Sequence, residues 1–460
     1  MTSKVEIRIA GGMSEVGVKN GVVIAYDGNG LCIDRGQKIP EFSSSYEREE
    51  MMSRFGAVLP DEYYLGPEGL DDLRVGFLCL THGHQDHTES WWKLRERFPD
   101  IALITDRFTE KVIRMRAEKD GRAPPEALLY GENIQAGPFS IRRFAVNHSI
   151  YGSSGFLVEA EGKRIAHLGD VKSWRVRAGH DKNVEVFGAL HPEKGIHLMF
   201  LDSTNADEPG FVISEEAVEA KIAATLTDNR NARVFFSTIA SNVRRLESAI
   251  NAANKQGRPV FVAGRSMRDL LDIAGIDQRL WQPIFQSAER DNGRELTGFR
   301  HLVPSPSQLP DDAVICVTGS QGEPMSFLDS MAEEIFPLPA KQGDTLIVSQ
   351  DTIPLRDIER RFSYVMGELS GRFSKIYLTD ATPEIESRGA TIIRDPYLHA
   401  SGHGKQGDLK LLLSHLKPRI VVPCHAGRAK REVLAELVKE WGADWSCEAV
   451  LLDDGDRFTL

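Results

Sequence analysis

The segment THGHQDHTES, residues 81–90, places three histidines and one aspartate within six positions. The whole chain has 13 histidines in 460 residues, so a cluster this tight needs a physical cause. The apolar run VGFLCL comes shortly before it, and such a run predicts a buried strand. A loop at the end of that strand can turn all four side chains toward one point. The chain is therefore expected to fold so that one strand ends at a metal site.

This cluster can serve two cations. His82 and His84 stand at alternate positions and can hold one ion. Asp86 and His87 can face a second ion. Two ions need further ligands, and three candidates end apolar runs that predict strands: His148 in FAVNHS, Asp170 in RIAHLGD and His425 in RIVVPCH. Two ions about 3.5–4 Å apart would lower the pKa of a water between them and stabilise a displacement at phosphorus.

The first part of the chain alternates turn signals with β-rich runs. A D-G-N-G turn divides VVIAYDGNGLCIDRG, and GFLVEAEGKRIAHLGD repeats the hairpin pattern. Two helical stretches, SWWKLRERF and FTEKVIRMRAEKD, lie between these hairpins and predict a layered α/β domain. The final residues, EAVLLDDGDRFTL, predict a closing hairpin.

From about Phe211 the pattern changes to strands and helices in regular alternation. ARVFFST precedes NVRRLESAINAANKQG, RPVFVAG precedes SMRDLLDIAG, and AVICVTGS and DTLIVSQ follow. Such alternation predicts parallel βαβ units in an open sheet. After about Ala390 come a helix in GDLKLLLSHLKP, the strand RIVVPCH and a helix in AKREVLAELVKEW.

Composition argues against several classes of protein. The five cysteines are scattered and form no C-x-x-C pair, which argues against a disulfide framework and a thiolate zinc site. The start, MTSKVEIRIAGG, has no apolar signal-peptide core, and no apolar run approaches the length that spans a bilayer. We therefore expect a cytoplasmic protein with reduced cysteines and no membrane association.

The charge distribution bears on nucleic-acid binding. A net charge of -11 argues against a protein that coats nucleic acid through overall positive charge. Between Arg230 and Leu270, however, eight lysines and arginines stand against two acids, Glu247 and Asp269. This stretch predicts either a local basic groove or a solvated helix face.

Several motifs together resemble a known family. His82, His84, Asp86, His87, His148 and Asp170, in this order, resemble the metallo-β-lactamase superfamily. Six later segments look like signature blocks of the β-CASP nucleases, and in particular of ribonuclease J: LDSTNADEPGF, STIASNVRRL, VAGRSM, TGSQGEPMS, HASGHGKQGDLKLLL and PCHAG. The resemblance implies an α/β fold, a metallo-β-lactamase αββα sandwich formed by residues 1–205 and 386–460. A β-CASP domain with an open, mostly parallel sheet would be inserted at residues 206–385.

The resemblance also assigns the metal ligands. By this assignment His82, His84 and His148 bind one zinc ion. The same assignment gives Asp86, His87 and His425 to the other ion, with Asp170 bridging the two. Manganese would tolerate the same nitrogen and oxygen ligands.

The resemblance further implies which residues act on the substrate. Asp202 of LDST matches an acidic group that orients histidine ligands, and His403 of HASGH matches a histidine that faces the scissile phosphate. With Asp86, these are the expected catalytic residues. Glycine- and serine-rich loops after strands are plausible phosphate sites, although most such loops are simple turns. The predicted phosphate-binding residues are His399, Ser401, Ser241, Asn242, Ser320 and Gln321.

The chain departs from the family pattern in three places. It has NHSIYGSSGF where ribonuclease J usually carries an S-I-P-x-S form, and PCHAGRAK where P-V-H-G-E is common. We also expect it to lack the further C-terminal domain of the bacterial enzymes. A homodimer aided by that domain is therefore left open.

The function that the resemblance implies is hydrolysis of single-stranded RNA. A 5′-to-3′ exonuclease, with endonuclease cleavage as a second mode, would leave 5′-phosphate and 3′-hydroxyl ends. A β-CASP DNA nuclease is the main alternative, since no motif reads the 2′-hydroxyl. A small-molecule hydrolase, such as a lactonase or thioesterase, would not need the insertion at about 206–385. A scaffold with a decayed site is disfavoured because the full ligand set is present.

Overall fold

The computed structural model describes residues 4–14, 17–38, 61–66, 69–126, 128–174, 183, 187, 188, 190–284, 309–334, 340, 341 and 343–460. The strands are β1 (Glu6–Gly11), β2 (Gly21–Tyr26), β3 (Asn29–Ile33), β4 (Arg74–Cys79), β5 (Ala102–Ile104), β6 (Leu128–Leu129), β7 (Asn133–Ala136), β8 (Phe139–Ala145), β9 (Ser154–Ala160), β10 (Lys163–His167), β11 (Ile196–Asp202), β12 (Val234–Ser237), β13 (Val260–Ala263), β14 (Gln282–Pro283), β15 (Val314–Val317), β16 (Thr345–Val348), β17 (Lys375–Leu378), β18 (Thr391–Arg394), β19 (Pro418–Cys424), β20 (Glu448–Ala449) and β21 (Arg457–Thr459). The α-helices are α1 (Gln85–Thr88), α2 (Trp91–Arg97), α3 (Arg107–Lys119), α4 (Glu215–Asp228), α5 (Val243–Lys255), α6 (Arg265–Ala274), α7 (Phe327–Ala332), α8 (Arg356–Leu369), α9 (Gln406–Leu416) and α10 (Arg428–Trp441).

The chain forms two compact units. As far as the structure describes them, the first contains residues 1–40, 57–212 and 402–460, and the second contains residues 213–401. The limits differ from the predicted 206 and 385. The second unit extends past 385 because β18 pairs with β17 in its sheet. No helix among the described residues combines the length and apolarity needed to cross a bilayer.

The first unit is a sandwich of two sheets with helices outside. One sheet has the order β21-β1-β2-β3-β4-β5-β6 and the other β20-β19-β11-β10-β9-β8-β7. Strand residues alternate between two faces. In β11, Leu198 and Phe200 face the core between the sheets, while Met199 and Leu201 pack with apolar residues of α9 and α10. The predicted αββα sandwich is confirmed.

The two internal hairpins of the first unit form as predicted, with β2 antiparallel to β3 and β9 antiparallel to β10. The predicted closing hairpin is wrong. β20 joins the second sheet in parallel with β19, whereas β21 joins the first sheet antiparallel to β1. The segment between them carries Val450 and Leu452 into the core between the sheets, so it links the two layers instead of turning back on itself.

The second unit contains an open parallel sheet with the order β14-β13-β15-β12-β16-β17-β18. One face buries Phe235, Ile315 and Leu346 against Phe327 of α7 and Phe362 of α8. Helix α5 contacts β13 and β15. The alternation of strands and helices in the sequence therefore gives the parallel sheet that it predicts.

Three of the eight basic residues between Arg230 and Leu270 are buried and so contribute neither to a basic groove nor to a solvated helix face. Arg233, Arg245 and Arg258 are each at most 4% exposed. Arg233 Nε donates to Asp344 at 3.1 Å, and the Arg258 guanidinium donates to main-chain carbonyls. Buried guanidinium groups need such partners, so three of the eight basic residues hold the unit together.

Candidate metal centre

The seven predicted metal ligands all belong to the first unit, and most follow the carboxyl ends of strands. His82 and His84 follow β4. The prediction that the whole cluster is a loop is wrong for Asp86 and His87, because Gln85–Thr88 form helix α1. A helix rises about 1.5 Å per residue, against about 3.3 Å in a strand. The helical turn therefore keeps Asp86 and His87 near the two earlier histidines.

Three imidazole nitrogens converge on one side of the centre. His82 Nε2 lies 3.0 Å from His84 Nδ1, and that atom lies 3.2 Å from His148 Nε2. Asp170 Oδ2 lies 3.5 Å from His82 Nε2 and 3.6 Å from His148 Nε2. We call His82, His84 and His148 the imidazole group.

A second set of ligand atoms converges on the other side of Asp170. His425 Nε2 lies 3.2 Å from Asp86 Oδ2, and His87 Nε2 lies 3.5 Å from the same oxygen. Asp170 Oδ1 lies 3.3 Å from His87 Nε2 and 3.4 Å from His425 Nε2. We call Asp86, His87 and His425 the carboxylate group. Asp170 turns one oxygen to each group.

These spacings fit metal coordination. In a tetrahedral zinc site with ligands about 2.0–2.1 Å from the ion, neighbouring ligand atoms are about 3.3 Å apart. The distances given above run from 3.0 to 3.6 Å around the imidazole group and from 3.2 to 3.5 Å around the carboxylate group. Three neutral rings that face one another can turn their lone pairs toward a shared cation. The centre therefore fits a divalent metal.

Burial keeps the imidazole group neutral. It lowers the pKa of His84 to about 4 and holds the pKa values of His82 and His148 well below the usual range. A neutral imidazole offers its lone pair to a metal. This group is therefore ready to bind a cation at neutral pH.

In the carboxylate group, the neighbouring acids raise the pKa values of the histidines instead. Burial alone would lower the pKa values of His87 and His425, but Asp170 and Asp86 raise the pKa of His87 well above its usual range and that of His425 to about 9. Burial favours the neutral form of Asp170, yet the same histidines hold its pKa well below the usual range. A cation that binds to the carboxylate group must therefore displace protons from its histidines.

Sequence reasoning misses Asp34, which orients His87. Asp34 Oδ2 lies 2.8 Å from His87 Nδ1, and Thr81 donates its main-chain N–H and its hydroxyl to the same carboxylate. With its proton on Nδ1, His87 turns the Nε2 lone pair toward the centre. A signal was present in the sequence, since Asp34 directly follows the β-rich run GLCI.

Two glycines allow close approach of the chain to the ligands. A Cβ at Gly36 would lie 1.6 Å from the main-chain oxygen of Asp86, and one at Gly402 would lie 2.5 Å from His148 Cε1. The main-chain oxygen of Gly402 lies 2.9 Å from His148 Nδ1 and accepts its proton, which leaves Nε2 for the centre. The glycine of SGHG thus positions a predicted ligand.

The predicted catalytic pair Asp202 and His403 lies beside the centre. His403 Nδ1 lies 2.7 Å from Asp202 Oδ2, and His403 Nε2 lies 4.0 Å from Asp170 Oδ2. Asp202 Oδ1 also accepts hydrogen bonds from the main chain and hydroxyl of Thr204. Burial would raise the pKa of Asp202, but the neighbouring His403 lowers it. Asp202 is therefore an ionised acceptor that fixes the His403 ring.

The predicted phosphate-binding residues belong to the second unit. Ser241 and Asn242 come after β12, and Ser320 and Gln321 come after β15. These two strands are parallel neighbours, so their carboxyl ends share one edge of the sheet. His399 is buried and Ser401 is partly exposed at the end of the unit.

The side chains of the predicted phosphate-binding residues differ in their hydrogen-bond partners. Asn242 caps α5 and accepts the main-chain N–H of Arg245 at 3.2 Å. The Gln321 amide donates to the main-chain oxygen of Asp351 and accepts the N–H of Ile353, both at 2.8 Å. The Ser320 hydroxyl is buried and has no hydrogen-bond partner among the described residues. Their binding of phosphate stays a prediction.

Comparison with known protein families agrees with the site. The description "Beta-lactamase superfamily domain" matches residues 66–226, and "Ribonuclease J, beta-CASP domain" matches residues 231–282. "Zn-dependent metallo-hydrolase RNA specificity domain" matches residues 394–450. Fold, centre and these matches define a metal-dependent hydrolase of the metallo-β-lactamase type with a β-CASP insertion.

Similar curated proteins narrow this class. Ribonuclease J of Thermus thermophilus is 30% identical over 457 residues, which cover 96% of this chain and 70% of that protein. Ribonuclease J of Corynebacterium glutamicum is 31% identical over 422 residues, 90% of this chain and 52% of its own length. Ribonuclease J2 of Bacillus subtilis is 27% identical over 460 residues. The chain belongs to the ribonuclease J family. It spans about half the length of the Corynebacterium relative.

A solved structure from Enterococcus faecalis V583, titled as a protein of unknown function, shares the fold. Its TM-score is 0.63 at 19% identity, and the match covers 99% of this chain and all of that one. At this identity the likeness bears on the fold alone.

Proposed function

We propose that this chain hydrolyses phosphodiester bonds of single-stranded RNA at a centre of two zinc ions, with manganese as the alternative metal. Asp170 carries the proposal, because its two oxygens face two separate sets of ligand atoms. Bound ions of this kind supply an activated water and neutralise charge on phosphoryl oxygens. RNA as the substrate follows from the names of the relatives and of the matched domains.

The residues beside the ions have separable tasks. Asp202 accepts the Nδ1 proton of His403 and so fixes the orientation of that ring. Its Nε2 edge lies 4.0 Å from Asp170 Oδ2, and the side chain is 19% exposed, so the ring can face a phosphoryl oxygen at the edge of the centre. His403 would thus stabilise the charge that develops in the transition state.

We further propose cleavage from the 5′ end that releases 5′-phosphate products. The support is the predicted phosphate-binding set, in which the buried Ser320 hydroxyl has no hydrogen-bond partner among the described residues. Cytoplasmic location is part of the same proposal. All five cysteines are buried and unpaired, as expected in a reducing compartment. A homodimer is the open alternative to a single chain.

The proposal is tested with RNA and DNA strands of one sequence, each carrying a 5′-phosphate or a 5′-hydroxyl, incubated with the purified protein and zinc or manganese. We expect mononucleotides to be released from the 5′-phosphate RNA on a sequencing gel. Cleavage of DNA alone would indicate the DNA nuclease, and cleavage of neither polymer would contradict nuclease function.

A double substitution links this activity to the centre. Asp86→Ala with His87→Ala should abolish cleavage, because it removes two ligands of the carboxylate group. Its circular dichroism spectrum should stay that of the folded protein. Full activity in this variant would contradict the mechanism.

A further inference from the structure

One threonine lies between a predicted metal ligand and the carboxylate that holds the predicted catalytic histidine. Thr204 follows β11, and His425 follows β19, which is the parallel neighbour of β11 in the same sheet. Asp202 and Cys424 are paired in this register, so the residues after them come close together. The Thr204 hydroxyl oxygen, Oγ1, lies 3.0 Å from His425 Nδ1. The other ring nitrogen, Nε2, is the one that faces the metal centre.

The neighbours of the Thr204 hydroxyl determine the direction of its hydrogen bonds. Oγ1 lies 2.7 Å from Asp202 Oδ1 and 3.1 Å from the main-chain oxygen of His425. Both oxygens can only accept, and a hydroxyl has one proton to donate and two lone pairs. The shorter contact is with the carboxylate, which is the stronger acceptor, so the proton goes to Asp202. Either choice leaves a lone pair of Oγ1 to face His425 Nδ1.

This lone pair determines where the His425 ring carries its proton. A proton on Nδ1 can be donated to Thr204 Oγ1, whereas a bare Nδ1 would set its own lone pair against that of the hydroxyl. Asp202 Oδ1 lies 3.9 Å from Nδ1 and favours the same proton. Nε2 is thus left to ligate, and it lies 3.2 Å from Asp86 Oδ2 and 3.4 Å from Asp170 Oδ1.

His425 needs such support because its backbone conformation is uncommon. Its φ angle is 62°, in the left-handed region that few residues other than glycine adopt. Its main-chain N–H donates to the main-chain oxygen of Gly12 at 3.0 Å, which holds the backbone in place. This bond fixes the position of the main chain but not the rotation of the ring. The contact with Thr204 fixes which edge of the ring faces the centre.

The segment that carries Thr204 is itself held in place. Thr204 donates its main-chain N–H to Asp202 Oδ1 at 2.9 Å, and its main-chain oxygen accepts from Lys430 Nζ at 2.7 Å. Ser203 donates its main-chain N–H and its hydroxyl to the main-chain oxygen of Cys424. The Ser203 hydroxyl thus bonds to the main chain, whereas the Thr204 hydroxyl contacts a ligand ring. Ser203 is therefore the matched control for Thr204.

We propose that Thr204 is a positioning residue of the carboxylate group: its hydroxyl keeps a proton on His425 Nδ1 and so directs Nε2 to the cation. The inference rests on the proposed function, since it assigns the support of one ligand of the proposed two-metal centre. The other oxygen of Asp202 lies 2.7 Å from His403 Nδ1. One carboxylate therefore orients His403 directly and the metal ligand through Thr204.

The experiment measures the zinc affinity of each half of the centre separately, by calorimetric titration of the chelator-treated full chain. Thr204→Val keeps the shape of the side chain and removes the hydroxyl, whereas Thr204→Ser keeps the hydroxyl. A His148→Ala background leaves the carboxylate group intact. In this background we expect Thr204→Val to weaken zinc binding about 10- to 100-fold, as for other residues that orient a ligand. Thr204→Ser should bind zinc nearly as tightly as its parent.

Two controls separate positioning from folding. In a His425→Ala background, Thr204→Val should leave the remaining zinc affinity unchanged, because the hydroxyl has no ring left to hold. Ser203→Ala should lower the melting temperature, since it removes a buried hydrogen bond, and should keep the zinc affinity of both halves. The inference would be overturned if Thr204→Val bound zinc as tightly as its His148→Ala parent, or if it weakened the imidazole group equally.

A spectroscopic measurement tests the wild type, should Thr204→Val not fold. Proton–nitrogen NMR spectra of the zinc-loaded protein with isotope-labelled histidine show which ring nitrogen carries a proton. We expect an Nδ1–H signal that is missing from His425→Ala, and a His425 ring with its proton on Nε2 would refute the role of Thr204. Zinc binding that follows these expectations while the wild type cleaves no RNA would contradict the proposed function alone.

Discussion

The two halves of the metal centre differ in the protonation of their histidines. In the imidazole group, burial keeps three histidines neutral, and the pKa of His84 falls to about 4. In the carboxylate group, the acids raise the pKa of His425 to about 9. One half is ready for a cation at neutral pH, whereas the other holds protons that the cation must replace. The halves should therefore differ in how their metal affinity depends on pH.

The supporting contacts differ in the same way. Gly402 orients His148 through a main-chain oxygen, whereas Asp34 orients His87 through a side-chain oxygen. A substitution can remove the second kind of support without moving the backbone. The carboxylate group is consequently the half that single substitutions can tune.

The largest effect is expected from Asp170→Asn, because Asp170 serves both halves. An amide keeps one oxygen for a metal and replaces the other with an NH₂ group that cannot ligate. We expect no measurable hydrolysis and less than one bound metal per chain by inductively coupled plasma mass spectrometry. Asp72→Asn, on the surface, is the control and should retain both. Near-normal metal content in Asp170→Asn would show that the halves do not share a ligand.

The next largest effect is expected from removing one ligand from either half of the metal centre. His148→Ala removes a ligand from the imidazole group, and His425→Ala removes one from the carboxylate group. We expect each variant to keep about one of two metal ions and to lose most of its activity, since both ions act on one phosphate. Two tightly bound ions in either dialysed variant would contradict the ligand assignment.

A smaller effect is expected from Asp34→Asn. The amide would turn its NH₂ toward His87 Nδ1, which forces the proton to Nε2 and removes the lone pair from the centre. Metal affinity at the carboxylate group should fall about 10- to 100-fold, as for other orienting residues. Metal titration followed by calorimetry measures this change. The imidazole group should keep its affinity, and equal weakening of both halves would count against the comparison.

The smallest effect concerns stability of the chelator-treated protein. His84 has a pKa of about 4 in the folded protein, so below pH 6.5 the unfolded chain binds a proton at this histidine more readily than the folded one does. The contribution of His84 to stability is therefore fully present above pH 6.5 and is lost as the pH falls toward 4. His425, with a pKa of about 9, contributes below pH 6.5 and loses that contribution as pH rises through 9. Each contributes a slope of up to about 1.4 kcal/mol per pH unit.

The free energy of unfolding of the metal-free protein should therefore peak near pH 6.5. Urea unfolding from pH 4.5 to 9 in the presence of chelator measures it. The metal-loaded protein is the reference and should vary less between pH 6.5 and 9. A metal-free protein that is most stable at pH 9 would contradict the raised pKa of His425.

Much of the fold could be predicted because it depends on local pattern. The alternation of apolar residues in β11 places Leu198 and Met199 on opposite faces, and regular strand–helix alternation gives the parallel sheet of the second unit. The closing hairpin was mispredicted because two neighbouring strands, β20 and β21, pair with partners in different sheets. Such pairing depends on the whole sandwich and leaves no local signal.

The same distinction applies to the site. Residues with a strong chemical signature, such as His82 and His84, could be singled out from spacing and family resemblance. Asp34 acts only because β3 lies parallel to β4, which brings it beside Thr81 and His87. Arg245 counted as one basic residue among eight, and its burial against Glu215 depends on tertiary packing. Roles that arise from long-range contacts could not be predicted.

The pairing of β11 with β19 also constrains how the protein is made. These strands, residues 196–202 and 418–424, are neighbours in one sheet, yet residues 213–401 of the second unit are encoded between them. His425 follows the later strand, so a growing chain on the ribosome lacks this ligand until residues 213–401 of the second unit have been synthesised. We expect the nascent polypeptide to be unable to cut RNA, which would protect the message from which it is being translated.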